Sequence, residues 1–255
     1  MNKKIDSGKE TDMAYRRTHP GKDWLPASLG ATADLEEGNV RLLRRLESVS
    51  EPRACGQLLW GSNDPIKQLY VLQNGWACSY RDEQDGRRRI IDVFLPGDIL
   101  GLKDYTFSTH GSDAAMLSHG RVASFSLHEL IDLVQASTRL AIALLNSAAR
   151  QANRFTLRML ANRHRDPSVR LAHFLKDIHL RLREAGKGDA THFYCPLSRS
   201  QLGSLLELSG PQVDSALGAL EAAKIMKRHR HHIELRDQER LFHAAGLAAP
   251  DRGWA

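Results

Sequence analysis

Cysteine is scarce in this chain. Among 255 residues there are three, Cys55, Cys78 and Cys195, far apart and without a CxxC spacing. That excludes a disulfide framework, a zinc knuckle and a cysteine-ligated iron-sulfur cluster. Each thiol is expected to be a buried structural one in a reducing compartment, with Cys195, beside Pro196, the one to test by oxidation. No stretch approaches the roughly 20 apolar residues of a membrane span. Lys3, Lys4, Asp6, Lys9, Glu10 and Asp12 stand where a secretory signal would be apolar. A cytoplasmic protein with no membrane partner is the expectation. HExxH, a phosphate-binding loop and a nucleophile motif are also missing, and Cys78, His110 and Asp113 share no catalytic spacing, so the chain does not read as an enzyme.

What is present is enough for a core: 42% hydrophobic and 26% charged residues, with a net charge of +6 that suits a polyanionic partner without requiring one. Residues 1–33 are polar, carry Gly and Pro, and read as a flexible extension without assigned structure. Asp34 is expected to cap a short helix to about Val49 that buries Leu35, Leu42, Leu43 and Leu46. From Cys55 to Ser126 short apolar runs (57–60, 69–72, 76–80, 89–95 and 121–126) alternate with turn signals. Asn74-Gly75 and Asp85-Gly86 read as hairpin turns, and the strand spacing predicts a small sandwich or barrel. The period then changes. Ile142, Leu145, Ala149, Ala152, Thr156 and Met159 recur every three or four residues, the seam of a two-helix dimer interface. Leu144, Ala148 and Phe155 form a second line for the helix's own barrel; one amphipathic helix packed wholly inside a monomer is the alternative. Asp166-Pro167 ends this helix and starts another to Gly186, with Val169, Leu171, Ala172, Leu175, Ile178 and Leu182 as its apolar face.

Ser198 with Gln201, and Ser209 with Gln212, have capping-box spacing, so two helices begin about eleven residues apart. Leu202, Leu205, Leu206 and Leu208 fill the angle between them and Gly203 permits close approach. Val213, Ala216, Leu217 and Leu220 bury the second helix's inner face, leaving Gly210, Pro211, Gln212, Asp214 and Ser215 outside. Ile225 to Leu235 reads as two short strands around a basic tip. A helix-turn-helix with a basic wing points to DNA; a purely structural helical hairpin is the alternative. His229, His231 and His232 lack metal-ligand spacing and suit a phosphate-facing wing, so no metal is expected.

The ordered segments Leu58 to Gly61, Leu69 to Gly75, Phe94 to Gly101, Asp166 to Leu175 and Leu197 to Gly203 resemble the Crp/Fnr superfamily of transcription regulators over roughly Leu58 to Leu235. The resemblance implies an α+β fold: an N-terminal β-roll (a double-stranded β-helix), a long dimerisation helix and a C-terminal winged helix-turn-helix. Its parts fall at 1–33 (extension), 34–138 (cyclic-nucleotide-binding-like sensor), 139–165 (dimerisation helix) and 166–255 (DNA-binding domain). It implies a homodimer that reads a two-fold symmetric double-stranded DNA site through helix 210–222 and the wing, with RNA polymerase as a further partner. Departures matter. Where cyclic-AMP-binding relatives carry Gly-Glu and Arg-Ser, this chain has Gly101-Leu102 and Ser112-Asp113, and no Arg lies between Leu95 and Gly120. A carboxylate would repel the cyclic phosphate, so cyclic AMP is not expected, no cofactor is predicted and the effector is unknown. Haem-binding relatives direct attention to His110, His119 and His128. Arg81, Arg87, Arg88 and Arg89 read as a solvated strand tip.

On the reading helix, relatives place Arg or Glu where this chain has Gly210-Pro211-Gln212 and Asp214-Ser215. Gln212 can pair with adenine and Ser215 with a base or phosphate, whereas Asp214 faces a polyanion. Ser198, Arg199, Ser209, Lys227, Arg228 and Arg230 complete the expected DNA-binding set, mostly on phosphates. Glu207 occupies a turn position where positive φ would cost about 1 kcal/mol. The alternative function is a regulatory protein-interaction module with degenerate nucleotide and DNA sites.

Overall fold

A computed structural model describes residues 23–30, 33–185 and 191–246. The first described element is a helix, α1 (Trp24–Gly30), which corrects the unstructured reading of that stretch; residues 1–22 and 31–32 lie outside the described residues. Leu25 and Leu29 are fully buried, and that burial stabilises a helix too short to stand alone. Helix α2 (Glu37–Glu47) follows with Glu36, not Asp34, at its N-cap and no side-chain cap bond. Leu43 is buried, but Leu42 is exposed.

Two four-stranded sheets form the roll. One has strand order β1 (Ser50–Arg53), β8 (Gly120–Ser126), β3 (Gln68–Asn74), β6 (Ile99–Leu100); the other β2 (Leu58–Trp60), β7 (Asp113–Met116), β4 (Ala77–Asp82), β5 (Arg88–Phe94). All pairings are antiparallel. Asp85-Gly86 makes the β4–β5 hairpin, with Gly86 at φ 79°. Asn74-Gly75 does not make a hairpin, because β3 and β4 belong to different sheets. Glycine is needed there for approach: a Cβ on Gly75 would lie 2.7 Å from the His119 carbonyl oxygen.

Helix α3 (Leu127–Ala136) starts on a capping box between Ser126 and Glu129, an S-x-x-E signal the sequence reading passed over. The long helix α4 (Thr138–Asn162) spans 25 residues. Leu144 is buried and Ala148 packs on the same core, but Phe155, expected on the barrel, is 39% exposed. Asp166 then caps α5 (Pro167–Glu184), its carboxylate accepting from the Ser168 N–H, with Pro167 in the first turn. The expected end at Gly186 lies outside the described residues.

The last part comprises β9 (His192–Tyr194), α6 (Arg199–Leu206), α7 (Gly210–Ala222), β10 (Met226–His229), β11 (His232–Leu235) and α8 (Gln238–Ala244). It packs on the roll. Cys78, Tyr80, Ile90 and Val93 share one buried cluster with Leu171, Leu175, Leu202 and Leu205. Ser204 of α6 accepts from the Ile90 N–H (2.8 Å) and donates to the Arg88 carbonyl (2.9 Å) of β5. The charged belt beside it includes Arg158 with Asp92 (2.7 Å), Arg154 with Asp98 (3.4 Å) and Arg181 with both Asp98 and the Val93 carbonyl.

Candidate nucleic-acid interface

Two reciprocal caps build the bihelical turn. Ser198 Oγ accepts from the Gln201 N–H while Gln201 Oε1 accepts from Ser198; Ser209 and Gln212 repeat this at 3.4 and 2.9 Å. Ser198, Ser209 and Gln212 are thus capping groups in the free protein. Glu207 takes the left-handed conformation at φ 55°, ψ 47°. A Cβ on Gly203 would come within 2.6 Å of the Leu208 carbonyl oxygen, so only glycine fits. The carbonyls at the end of α6 are satisfied from outside: Asn162 Nδ2 donates to Leu205 (3.0 Å), and Arg170 Nη1 donates to Leu206 and Glu207 (3.2 and 2.9 Å). These two residues were not singled out in the sequence. Their partners are 36 to 43 positions away, so no local pattern signals them.

Val213, Ala216, Leu217 and Leu220 are buried, and Gly210, Pro211, Gln212, Asp214 and Ser215 are exposed on the outer side of α7. That helix has no Lys or Arg. Asp214 does not stand alone, because Arg199 Nε lies 2.9 Å from its Oδ1 and brings a guanidinium to the outer face from the preceding helix.

The wing pairs Met226 with Leu235 through His229 with His232, and β9 adds a third strand that was not anticipated. Lys227 and Arg230 are exposed, with Arg230 at φ 56° in the tip. Arg228 is placed differently. Its guanidinium donates to the Leu197 and Arg230 carbonyls, both at 2.9 Å, and its N–H donates to Glu221, so it braces the wing. Between α7 and the wing lies a cleft of about 470 Å³ lined by Arg199, Asp214, Gly218, Glu221, Arg228 and Arg230. The Tyr194 ring sits 5.6 Å from both His231 and His232. Among the described residues no group of three or more His, Cys, Asp or Glu side chains could hold a metal ion.

In the roll, Ser112 and Asp113 make contacts within the chain, beside a stacked Trp60 and His110. Trp60 stacks on His110 at 4.3 Å and donates to the Ser112 carbonyl, and His110 Nδ1 lies 3.1 Å from Asp104 Oδ2. Asp113 accepts from the Ser62 N–H. Leu102 is buried; His119 and His128 are exposed. At the β4–β5 hairpin Arg87, Arg88 and Arg89 pair with Asp85, Asp82 and Glu83, and Arg81 donates to the Gly111 carbonyl. Burial pushes the Cys195 thiol up to about 11 and Cys78 up to about 12, whereas Cys55, expected to be buried, is exposed. All six residues of the proposed seam, Ile142, Leu145, Ala149, Ala152, Thr156 and Met159, are exposed along one helix.

Comparison with known proteins gives two family matches, a cyclic nucleotide-binding domain over residues 52–137 and a Crp-like helix-turn-helix domain over residues 169–244. The fumarate and nitrate reduction regulatory protein of Yersinia pestis is 25% identical over 217 residues, covering 83% of this chain and 86% of that protein. Its counterpart in Vibrio cholerae is 23% identical, covering 84% and 85%. The structure of FixK2 from Bradyrhizobium japonicum superposes with a TM-score of 0.69 at 25% identity, over 79% of this chain and 98% of FixK2. Among the described residues no helix is long and apolar enough to cross a membrane.

Proposed function

Because the chain belongs to the Crp/Fnr family of transcription regulators, we propose that it acts as a homodimer reading a two-fold symmetric DNA site. The observation that carries this reading is the exposed face of α7, flanked by Arg199 and by a wing bearing Lys227 and Arg230. Two such helices about 34 Å apart meet successive major grooves. In this reading Ser198, Ser209, Gln212 and Ser215 meet the duplex, with Arg228 supporting the tip. The Arg199–Asp214 pair changes the role of the acidic residue: Asp214 orients a guanidinium and partly cancels its own repulsion of phosphate.

The dimer is assigned to α4. Ile142, Leu145 and Met159 are 48%, 68% and 56% exposed on one face, and Phe155 and Leu160 flank it. Covering such half-exposed side chains contributes roughly 1 kcal/mol each, so two copies supply several. Contact with RNA polymerase is proposed from family membership. The sensor is proposed not to use cyclic AMP. Supporting this are Asp113, which the resemblance sets near the phosphate position, and the Trp60–His110 stack; calorimetric titration should give no saturable heat with cyclic AMP.

The absence of Lys and Arg from α7 favours a second reading, regulation through a protein partner. Selection of genomic fragments by the purified protein at two salt concentrations separates the two. A symmetric motif establishes sequence reading. Uniform recovery with a steep salt slope leaves phosphate contacts alone, and no retention at either salt favours the protein-partner reading.

A further inference from the structure

The outer face of α7 is poorly equipped to read bases by itself. Gly210 has no side chain, Pro211 has no donor and Ser215 offers a single hydroxyl. A glutamine reads adenine by accepting from N6 while donating to N7, but the Oε1 of Gln212 already accepts the Ser209 N–H at 2.9 Å, so a two-pronged contact requires opening the cap. Gly218, one turn beyond Asp214, is equally bare. A Cβ there or at Gly210 would meet nothing within 4 Å, and neither glycine has positive φ, so neither internal packing nor backbone conformation requires them. The helix presents a bare strip, and the Arg199 guanidinium reaches it from α6.

That guanidinium is engaged on one edge only. Arg199 approaches Asp214 through Nε, 2.9 Å from Oδ1, and among the described residues it has no other partner. Arg228, by contrast, spends its guanidinium on the Leu197 and Arg230 carbonyls. With the carboxylate against Nε, the opposite end of the planar fork, formed by Nη1 and Nη2, points away from Asp214 with its N–H groups unspent. Guanine presents two acceptors, O6 and N7, in the major groove, and an arginine fork is their commonest partner. Asp214 lies near the N-terminus of α7, the part of a reading helix that meets base edges. Bare, a carboxylate there would repel DNA; set against Nε, it aims the fork. Arg199 is 71% exposed and Asp214 50%, so water holds the pair weak, and a duplex laid over it excludes that water and strengthens both contacts.

We propose, on the premise that the protein reads DNA as set out above, that Arg199 is its guanine reader. Nη1 and Nη2 donate to O6 and N7 of one guanine in each half-site, and Asp214 is the positioning residue that holds the fork across α7. Specificity then falls on a side chain of the first helix of the turn, which reconciles sequence reading with an α7 that carries no Lys or Arg. A phosphate contact by Arg199 would instead give affinity without base preference.

The test offers the full chain a pool of randomised duplexes and compares the motifs selected by wild type, Arg199→Ala and Asp214→Asn. The expected result is a guanine in each half-site that the wild type requires and Arg199→Ala no longer prefers, the rest of the motif being retained, with discrimination at that base pair falling roughly 5- to 150-fold. Replacing that guanine by 7-deazaguanine, which lacks the N7 acceptor, should weaken wild-type binding and leave Arg199→Ala unaffected; a wild type indifferent to the replacement overturns the proposal without recourse to any variant. Asp214→Asn should lose part of the preference at the same position with Tm unchanged, and an unaltered motif there overturns the positioning role. A wild-type motif without an essential guanine, a motif that Arg199→Ala shares, or a loss equal on every duplex overturns the proposal while leaving the protein a DNA reader. A wild type that selects no motif fails one step earlier and overturns the DNA-reading premise together with the proposal.

Discussion

Glu47 closes α2 with its carboxylate buried, accepting from the Leu25 N–H at 2.5 Å at the start of α1. Burial raises it from an ordinary 4.5 to about 7, outweighing the backbone donors that lower it. An acid whose folded value is raised contributes fully only below the unfolded value, so stability is lost as pH rises from about 4.5 through 7, by on the order of 3 kcal/mol at most. Glu47→Gln keeps an acceptor and removes the titration. Chemical denaturation at pH 5 and pH 8 should show the wild type losing stability and the variant holding level; parallel losses would refute this. Glu207 gives a second residue-scale expectation. Its left-handed backbone favours glycine, so Glu207→Gly should add about 1 kcal/mol and raise Tm by roughly 2–4 °C in a thermal melt. The Ser198–Gln201 and Ser209–Gln212 boxes and this strained turn were legible because their spacing is local, although the equally local Ser126–Glu129 box was passed over. The bracing by Asn162, Arg170 and Arg228 was not, since each bond joins a side chain to a carbonyl made close only by folding.

At the scale of elements, periodicity located α4 and α7 and the inner faces of both DNA-binding helices. It missed β1, β6, β7 and β9, which have two to four residues each, too few for an alternation to register. Phe155 shares the face of Leu144 and Ala148, about 20° from Leu144 around the axis, but lies about 16 Å further along α4, past Ala148, the last α4 residue packed on the roll's apolar cluster. The seam is tested by charge: Leu145→Glu with Ala152→Glu should give a monomer by sedimentation, and a tight dimer would place the interface elsewhere. For the wing, Lys227→Ala with Arg230→Ala should weaken binding to all duplexes similarly and flatten the log–log salt dependence by about 2, a slope read from titrations at several salt concentrations. A change in the preferred sequence instead would make the wing a base reader.

Across the whole molecule, the sequence carried the order of sensor, long helix and reader but not their contact. The join depends on Cys78, Tyr80 and Ile90 facing outward from the roll, and residue type alone does not distinguish that face from the roll's interior. Ser204 bonds across it to the edge of β5. Ser204→Ala removes a donor and an acceptor from β5 and should loosen the reader by about 1–2 kcal/mol. Hydrogen exchange at the Ile90 amide reports it: faster exchange is expected, and unchanged protection would mean the apolar cluster alone holds the join. The same serine bears on solubility. β5 is the outer strand of its sheet, and α6 covers part of its free backbone edge. A reader that swings away uncovers an unpaired strand beside apolar Ile90 and Tyr80, the kind of edge onto which a foreign strand adds. Arg87, Arg88 and Arg89 and their partners Asp85, Asp82 and Glu83 fringe that edge with charge, which deters such pairing, so removing all six charges would turn any release of the reader into a route to aggregation.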